Sequence, residues 1–121
     1  MSDTQMFQAE LFQPAEFTKA QPNNMAMALA FYIRGNDRAE SGELESAIAD
    51  YDAALVINPM LAAALADRGV AWARKGEYDR AIADYDAALR IIPRDERTRK
   101  NRAIALDRKY ESEARDPRSA G

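Results

Sequence analysis

"AIADYDAAL" occupies residues 47–55, and the same nine letters return at 81–89. At about 100° per residue, Ala47, Ile48, Tyr51, Ala54 and Leu55 gather on one side of a helix. Ala49 and Ala53 face the other way, and alternation at period two fails. The block therefore reads as an amphipathic helix with small residues where a neighbour can come close. The two copies lie 34 positions apart, and the correspondence runs beyond them. The same shift pairs Arg34 with Arg68, Gly35 with Gly69, Gly42 with Gly76, Glu43 with Glu77 and Pro59 with Pro93, without a gap. A strict period of this length marks a solenoid, in which each unit buries its apolar face on the next.

Each unit is punctuated as helix, turn, helix. "SGEL" at 41–44 and "KGEY" at 75–78 close the first helices, with a glycine suited to the left-handed turn that stops a helix. Pro59 and Pro93 close the second helices, since proline cannot continue them. The predicted organisation is a tail at 1–24, repeat 1 at 25–61, repeat 2 at 62–95, a capping helix at 96–114 and a disordered terminus at 115–121. In the capping helix the apolar positions Ala103, Leu106, Tyr110 and Ala114 suggest one narrow buried stripe on an otherwise charged surface.

In this pattern the chain resembles the tetratricopeptide repeat family. Unit two carries Leu65, Gly69, Trp72, Gly76, Tyr78, Ala81, Tyr85, Ala88 and Pro93. Unit one carries Phe31, Gly35, Gly42, Leu44, Ala47, Tyr51, Ala54 and Pro59, and departs at Arg38, where the pattern has a large apolar residue. The resemblance implies an all-α fold: a right-handed α-α superhelix of two helix-turn-helix repeats plus the capping helix. It implies a protein–protein interaction module, an adaptor or assembly scaffold holding an extended peptide in a concave groove. By the same resemblance the groove is lined by first-helix residues, chiefly Tyr32, Asn36, Ala66, Val70 and Arg74, with Arg97, Lys100 and Arg108 from the capping helix. Chaperone-binding members clamp a terminal carboxylate with Lys and Asn. Here Tyr32 stands at the Lys position and Asp67 where the second-repeat Asn belongs, so that ligand is not implied.

Composition bounds the alternatives. The chain has 121 residues, a net charge of −3, no cysteine and no histidine, which excludes thiolate and imidazole chemistry. The charge is uneven: residues 1–60 hold 3 basic and 9 acidic side chains, residues 61–121 hold 14 and 11. No signal peptide or membrane span is read, and the expected compartment is cytoplasmic. Asp50 and Asp52, like Asp84 and Asp86, are two apart on a helix and so about 160° from each other. They cannot grip one metal, and a solvated flank is expected. No phosphate-binding glycine loop occurs, so no enzyme activity, cofactor or metal site is expected.

Two features remain. Arg34 stands as far before Asp50 as Arg68 stands before Asp84. In an antiparallel hairpin such positions face each other, and an Arg–Asp bridge inside each repeat is expected. Gly35 and Gly69 are expected to face Ala47 and Ala81. The stretch "MAMALAFYI" at 25–33 has no polar face for water. The apolar tail residues Met6, Phe7, Leu11, Phe12 and Phe17, a second subunit or a partner must cover it. A second functional reading follows: self-association as a homodimer through Met25, Met27, Leu29 and Phe31. A third, anion or nucleic-acid binding through the basic run at 94–109, is weaker, because no aromatic is interleaved in "RDERTRKNR" to stack a base.

Overall fold

Pro22 opens the first helix, α1 (Pro22–Glu40). Its fixed φ suits a first turn, and the N–H it lacks would find no intrahelical partner there. The helix thus takes in residues 22–24, placed in the tail by the sequence reading. The computed structural model describes residues 22–115. The expectations for the remaining tail, and for the terminus beyond Arg115, lie outside the described residues.

The chain reverses after Glu40 through a glycine closure. Gly42 adopts φ +81°. The Glu43 N–H donates to the Arg38 carbonyl at 2.8 Å and the Gly42 N–H to the Ala39 carbonyl at 3.0 Å. These are the paired bonds that end a helix at a left-handed residue. Helix α2 (Leu44–Ile57) returns antiparallel, and Asn58-Pro59 ends it. The second unit repeats the first with α3 (Ala62–Arg74), Gly76 at φ +81°, and α4 (Tyr78–Ile91). Helix α5 (Glu96–Arg115) then packs on α4. The architecture is an all-α repeat superhelix in the order A, B, A, B, A, as the sequence implied.

The repeated block supplies the core. Ala47, Tyr51, Ala54, Ala81, Tyr85 and Ala88 are all buried. The glycines are needed where the hairpin is closest. A Cβ on Gly35 would lie 2.7 Å from Tyr51 Cε1, and one on Gly69 would lie 2.6 Å from Tyr85 Cε1. The neighbour that demands glycine is therefore the tyrosine ring. Ala47 and Ala81, the expected neighbours, contribute only a backbone carbonyl, at 3.3 and 3.2 Å.

The capping helix corrects the expected stripe. Its buried residues are Thr98 and Ala105, while Tyr110, Ala103 and Ala114 are exposed and Leu106 is half-buried. Thr98 and Ala105 stand one repeat period after Ala64 and Ala71, which are themselves buried, Ala71 against Ala47, Ile48 and Tyr51 of the preceding helix. Repeat register, not side-chain hydrophobicity, selects the face. Thr98 tolerates burial because its hydroxyl donates to Asp95 Oδ2 at 2.6 Å.

Candidate binding groove

Polar bonds tie the A-position helices α1, α3 and α5 to one another along one side. Tyr32 on α1 donates its hydroxyl proton to Asp67 Oδ2 on α3 at 2.6 Å. Arg97 on α5 donates Nη2–H to Asp67 Oδ1 at 3.0 Å. One carboxylate thus joins all three helices. Burial, and next to it the Asp67 carboxylate against the opposing Asn36 amide, raise the Tyr32 hydroxyl pKa. The bond to Asp67 raises that of the Arg97 guanidinium. Both groups keep their protons and their bonds at neutral pH. Further along, Arg74 Nη1 donates to the Ala39 carbonyl at 2.8 Å, pinning the end of α1 to the end of α3.

Two adjoining hollows lie along this side. The first, about 280 Å³, is walled by Asn36, Ala39, Glu40, Asp67, Ala71 and Tyr51. Tyr51 is 1% exposed, and its hydroxyl donates to Asn36 Oδ1 at 2.6 Å. The second, about 360 Å³, is walled by Ala73, Tyr85, Asn101, Ile104, Ala105 and Arg108. Val70, Arg74 and Arg97 line both and form the divide between them. Each hollow therefore has a tyrosine from the B helix; the first sets Arg74 and Arg97 beside Glu40 and Asp67, and the second alone has a purely basic edge, of Arg74, Arg97 and Arg108. The larger hollow between α5 and the Gly76 turn holds Arg108 and Arg115 beside Asp107 and Glu111, so its charges are mixed.

Most of the sequence-assigned groove residues meet here: Asn36, Val70, Arg74, Arg97 and Arg108 line the hollows, and Tyr32 braces the first through Asp67. Two do not. Ala66 is 4% exposed and spends its surface in the core against Leu65 and Ala88. Lys100 is exposed but lines neither hollow. Helix α5 turns the Arg97–Asn101–Arg108 face inward, and Lys100 falls to one side. Sequence reasoning missed the part played by Tyr51 and Tyr85, whose place in the apolar stripe signalled core alone. It also missed Asp67 as the brace. Met25, Met27 and Leu29 are exposed, and Phe31 is half-buried beneath the Arg34 guanidinium, 5.5 Å from its ring centre. These four residues lie on α1 away from both hollows.

The aspartates of the repeated block also differ from expectation. Asp52 is exposed, but Asp50 and Asp84 are 2% and 7% exposed, not solvated flanks. Each is buried because an arginine holds it. Arg34 meets Asp50 through Nε at 3.0 Å and Nη2 at 2.7 Å. Arg68 meets Asp84 through Nε at 2.9 Å and Nη2 at 2.8 Å. These are the bridges that the equal Arg-to-Asp spacing predicted. Among the described residues no group of three or more His, Cys, Asp or Glu is placed to hold a metal ion. No described helix is long and apolar enough to cross a membrane.

The fold has counterparts among solved structures. The crystal structure of a MamA protein superposes with a TM-score of 0.68 at 28% identity, over 71% of this chain and 47% of that one. A second MamA structure gives 0.67 at 28% identity, over 70% and 50%. The chain thus spans about half the length of these relatives. No curated protein matches it. A family model for the tetratricopeptide repeat matches residues 32–96, more than half of the chain and all of both glycine-closed turns. With its repeat period, its glycine closures and that match in agreement, the chain belongs to the tetratricopeptide repeat family.

Proposed function

We propose that this chain is an adaptor or assembly module that holds an extended peptide in the groove formed by α1, α3 and α5. Its family makes it a protein–protein interaction module, and the paired hollows support this particular mode. Their size suits one side chain each, and they share the divide at Val70, Arg74 and Arg97. The observation that carries the reading is the distribution of charge. Arg97 is engaged by Asp67, and Arg74 uses one N–H on a backbone carbonyl. Arg108 has no carboxylate partner among the described residues and stands at the far wall of the second hollow. A peptide with one or two apolar anchors followed by acidic residues fits this sequence of surfaces. Charge at such a rim speeds encounter more than it deepens affinity. Binding in the micromolar range, about −8 kcal/mol, is expected for so short an interface.

The test is an NMR titration of the full chain with acidic-apolar and basic-apolar peptide pools. Shifts at Asn36, Val70 and Arg108 with the acidic pool alone are expected. Shifts confined to Ala49, Ala53 and Ala87 on the B helices would remove the groove reading.

A further inference from the structure

The face of α1 that a preceding repeat would cover is open among the described residues. Ala64 and Thr98 are both fully buried, seven residues before Ala71 and Ala105, which pack on the preceding helix, and so on the same face of α3 and α5. Their counterpart on α1, one repeat period before Ala64, is Ala30, and it is exposed. Met25, Met27 and Ile33 are exposed beside it at 57%, 49% and 57%. The exposure is apolar only as far as Ile33. Beyond it the inter-repeat positions become Asp37 and Arg38, where α3 has Ala71 and Trp72. The surface that needs a cover is therefore the N-terminal half of α1, next to the point where the preceding chain enters.

The ion pairs show the same opening. Arg34, Arg68 and Arg102 recur at the repeat period. Arg68 receives Asp52 from the preceding helix at 2.7 Å, and Arg102 receives Asp86 at 2.5 Å. Among the described residues Arg34 is paired only with Asp50 of the following helix, and its side chain is 54% exposed against 24% for Arg68. A partner that supplies apolar side chains and a carboxylate matches this face.

From this we infer that the N-terminal segment of this same chain folds back on α1, setting Phe7, Leu11 and Phe12 on Met25, Met27 and Ala30 and a glutamate, Glu10 or Glu16, beside Arg34. The segment carries the required chemistry and is tethered at the patch. From Pro22 to Arg34 the helical rise amounts to about 18 Å. At about 3.3 Å each, roughly six residues of extended returning chain already cover that distance. A short tether holds a docking segment at an effective concentration on the order of millimolar, which no free partner matches without tight binding. An apolar hollow of about 470 Å³, formed by Met25, Ile57, Pro59 and Met60, lies beside the entry point and can receive a ring. The segment would then take on α1 the place that the preceding helix takes on α3 and α5, on a different surface from the groove.

The chain has no cysteine, so Gln8→Cys accepts a single spin label. With methyl-labelled Met, Val and Ile in the dilute full chain, the Met25 and Met27 methyl signals are expected to be lost. The Val70 and Ile104 signals of the groove are expected to persist. Adding Phe7→Asp and Leu11→Asp should restore the methionine signals without changing the helical circular dichroism. Loss of Val70 and Ile104 instead would place the segment in the groove and overturn the inference. So would loss that appears only between spin-labelled and methyl-labelled copies mixed together, which would make a second copy the cover. Full signals at Met25 and Met27 would overturn it too. None of these outcomes depends on whether the groove binds an external peptide.

Discussion

Arg68 and Asp84 meet across the second hairpin through two parallel hydrogen bonds of 2.9 and 2.8 Å, and Asp84 is buried. The remaining nitrogen, Nη1, reaches the exposed Asp52 of the preceding repeat at 2.7 Å. Removing Arg68 strands a carboxylate away from water. Arg68→Ala is therefore expected to cost about 3 kcal/mol, and Asp52→Ala less than about 1 kcal/mol. In urea unfolding, a double-mutant cycle on Arg68→Ala and Asp84→Ala should show coupling of at least about 0.5 kcal/mol. Strict additivity would deny the bridge.

Gly69 and Gly76 should fail differently. A Cβ on Gly69 would lie 2.6 Å from Tyr85 Cε1 and 3.2 Å from the Ala81 carbonyl. Gly69→Ala should thus cost about 1–3 kcal/mol by overpacking, and asparagine there no less. Gly76 has open space around it but φ +81°. Gly76→Ala should cost about 1–2 kcal/mol, and Gly76→Asn less, since asparagine visits that region. Thermal melts of the four variants check the contrast. Equal losses for Asn and Ala at position 76 would show that the turn's φ is not what matters.

The face of α5 that packs can be read with two aspartates. Ala105 is 1% exposed, within reach of Ala81 and Tyr85, and Ala103 is exposed. Ala105→Asp should destabilise by roughly 3 kcal/mol, as an unpartnered buried charge. Ala103→Asp should stay within about 0.5 kcal/mol of the parent. The reverse order would restore the stripe through Ala103, Leu106 and Tyr110.

Stability should fall at alkaline pH. Burial, with the Asp84 and Asp67 carboxylates and against Arg97, pushes the Tyr85 hydroxyl up to about 12, and burial raises Tyr51 as well. An unfolded tyrosine ionises near pH 10. The stabilisation is therefore complete below about pH 10 and is lost as the pH climbs toward the folded value, because the unfolded chain sheds the proton first. For Tyr85 the loss is on the order of 2–3 kcal/mol. Denaturant midpoints from neutral to alkaline pH, followed beside tyrosinate absorbance, measure it. Tyr85→Phe should flatten part of the slope, and an unchanged slope would mean that Tyr85 titrates normally.

At the groove, Arg108→Glu should abolish the preference for acidic-apolar over basic-apolar peptides, with little change in stability because Arg108 is exposed. Lys100→Glu should alter the preference far less, since Lys100 lines neither hollow. Equal effects of the two charge reversals would mean that only the general field of α5 matters.

These contrasts follow where the sequence speaks and where it does not. The Arg34–Asp50 and Arg68–Asp84 bridges were legible because a fixed spacing in an antiparallel hairpin is a distance. The burial of Asp50 and Asp84 was not, because a wheel drawn for one helix knows nothing of the arginine on the next. The face of α5 was misread from the hydrophobicity of Leu106 and Tyr110. The same translation that revealed the repeats points to Thr98 and Ala105, and a polar residue at the first of these concealed it. Of the groove, the basic and amide residues were legible through the family pattern. Ala66 was not, because its small side chain is consumed by the core. The tyrosine floors were hidden by serving two purposes, filling the core and walling the hollows.

The contact between Asp52 and Arg68 recurs, one repeat period on, between Asp86 and Arg102. The surface that ends one unit thus matches the surface that begins the next, and it does so under pure translation. A duplicate of residues 62–95 inserted after residue 95 would meet Asp86 with its own arginine and offer its own aspartate to Arg102. The joint carries the rule for its own continuation. A gene encoding it can lengthen the array, and with it the groove, by copying alone, with no new interface to be invented.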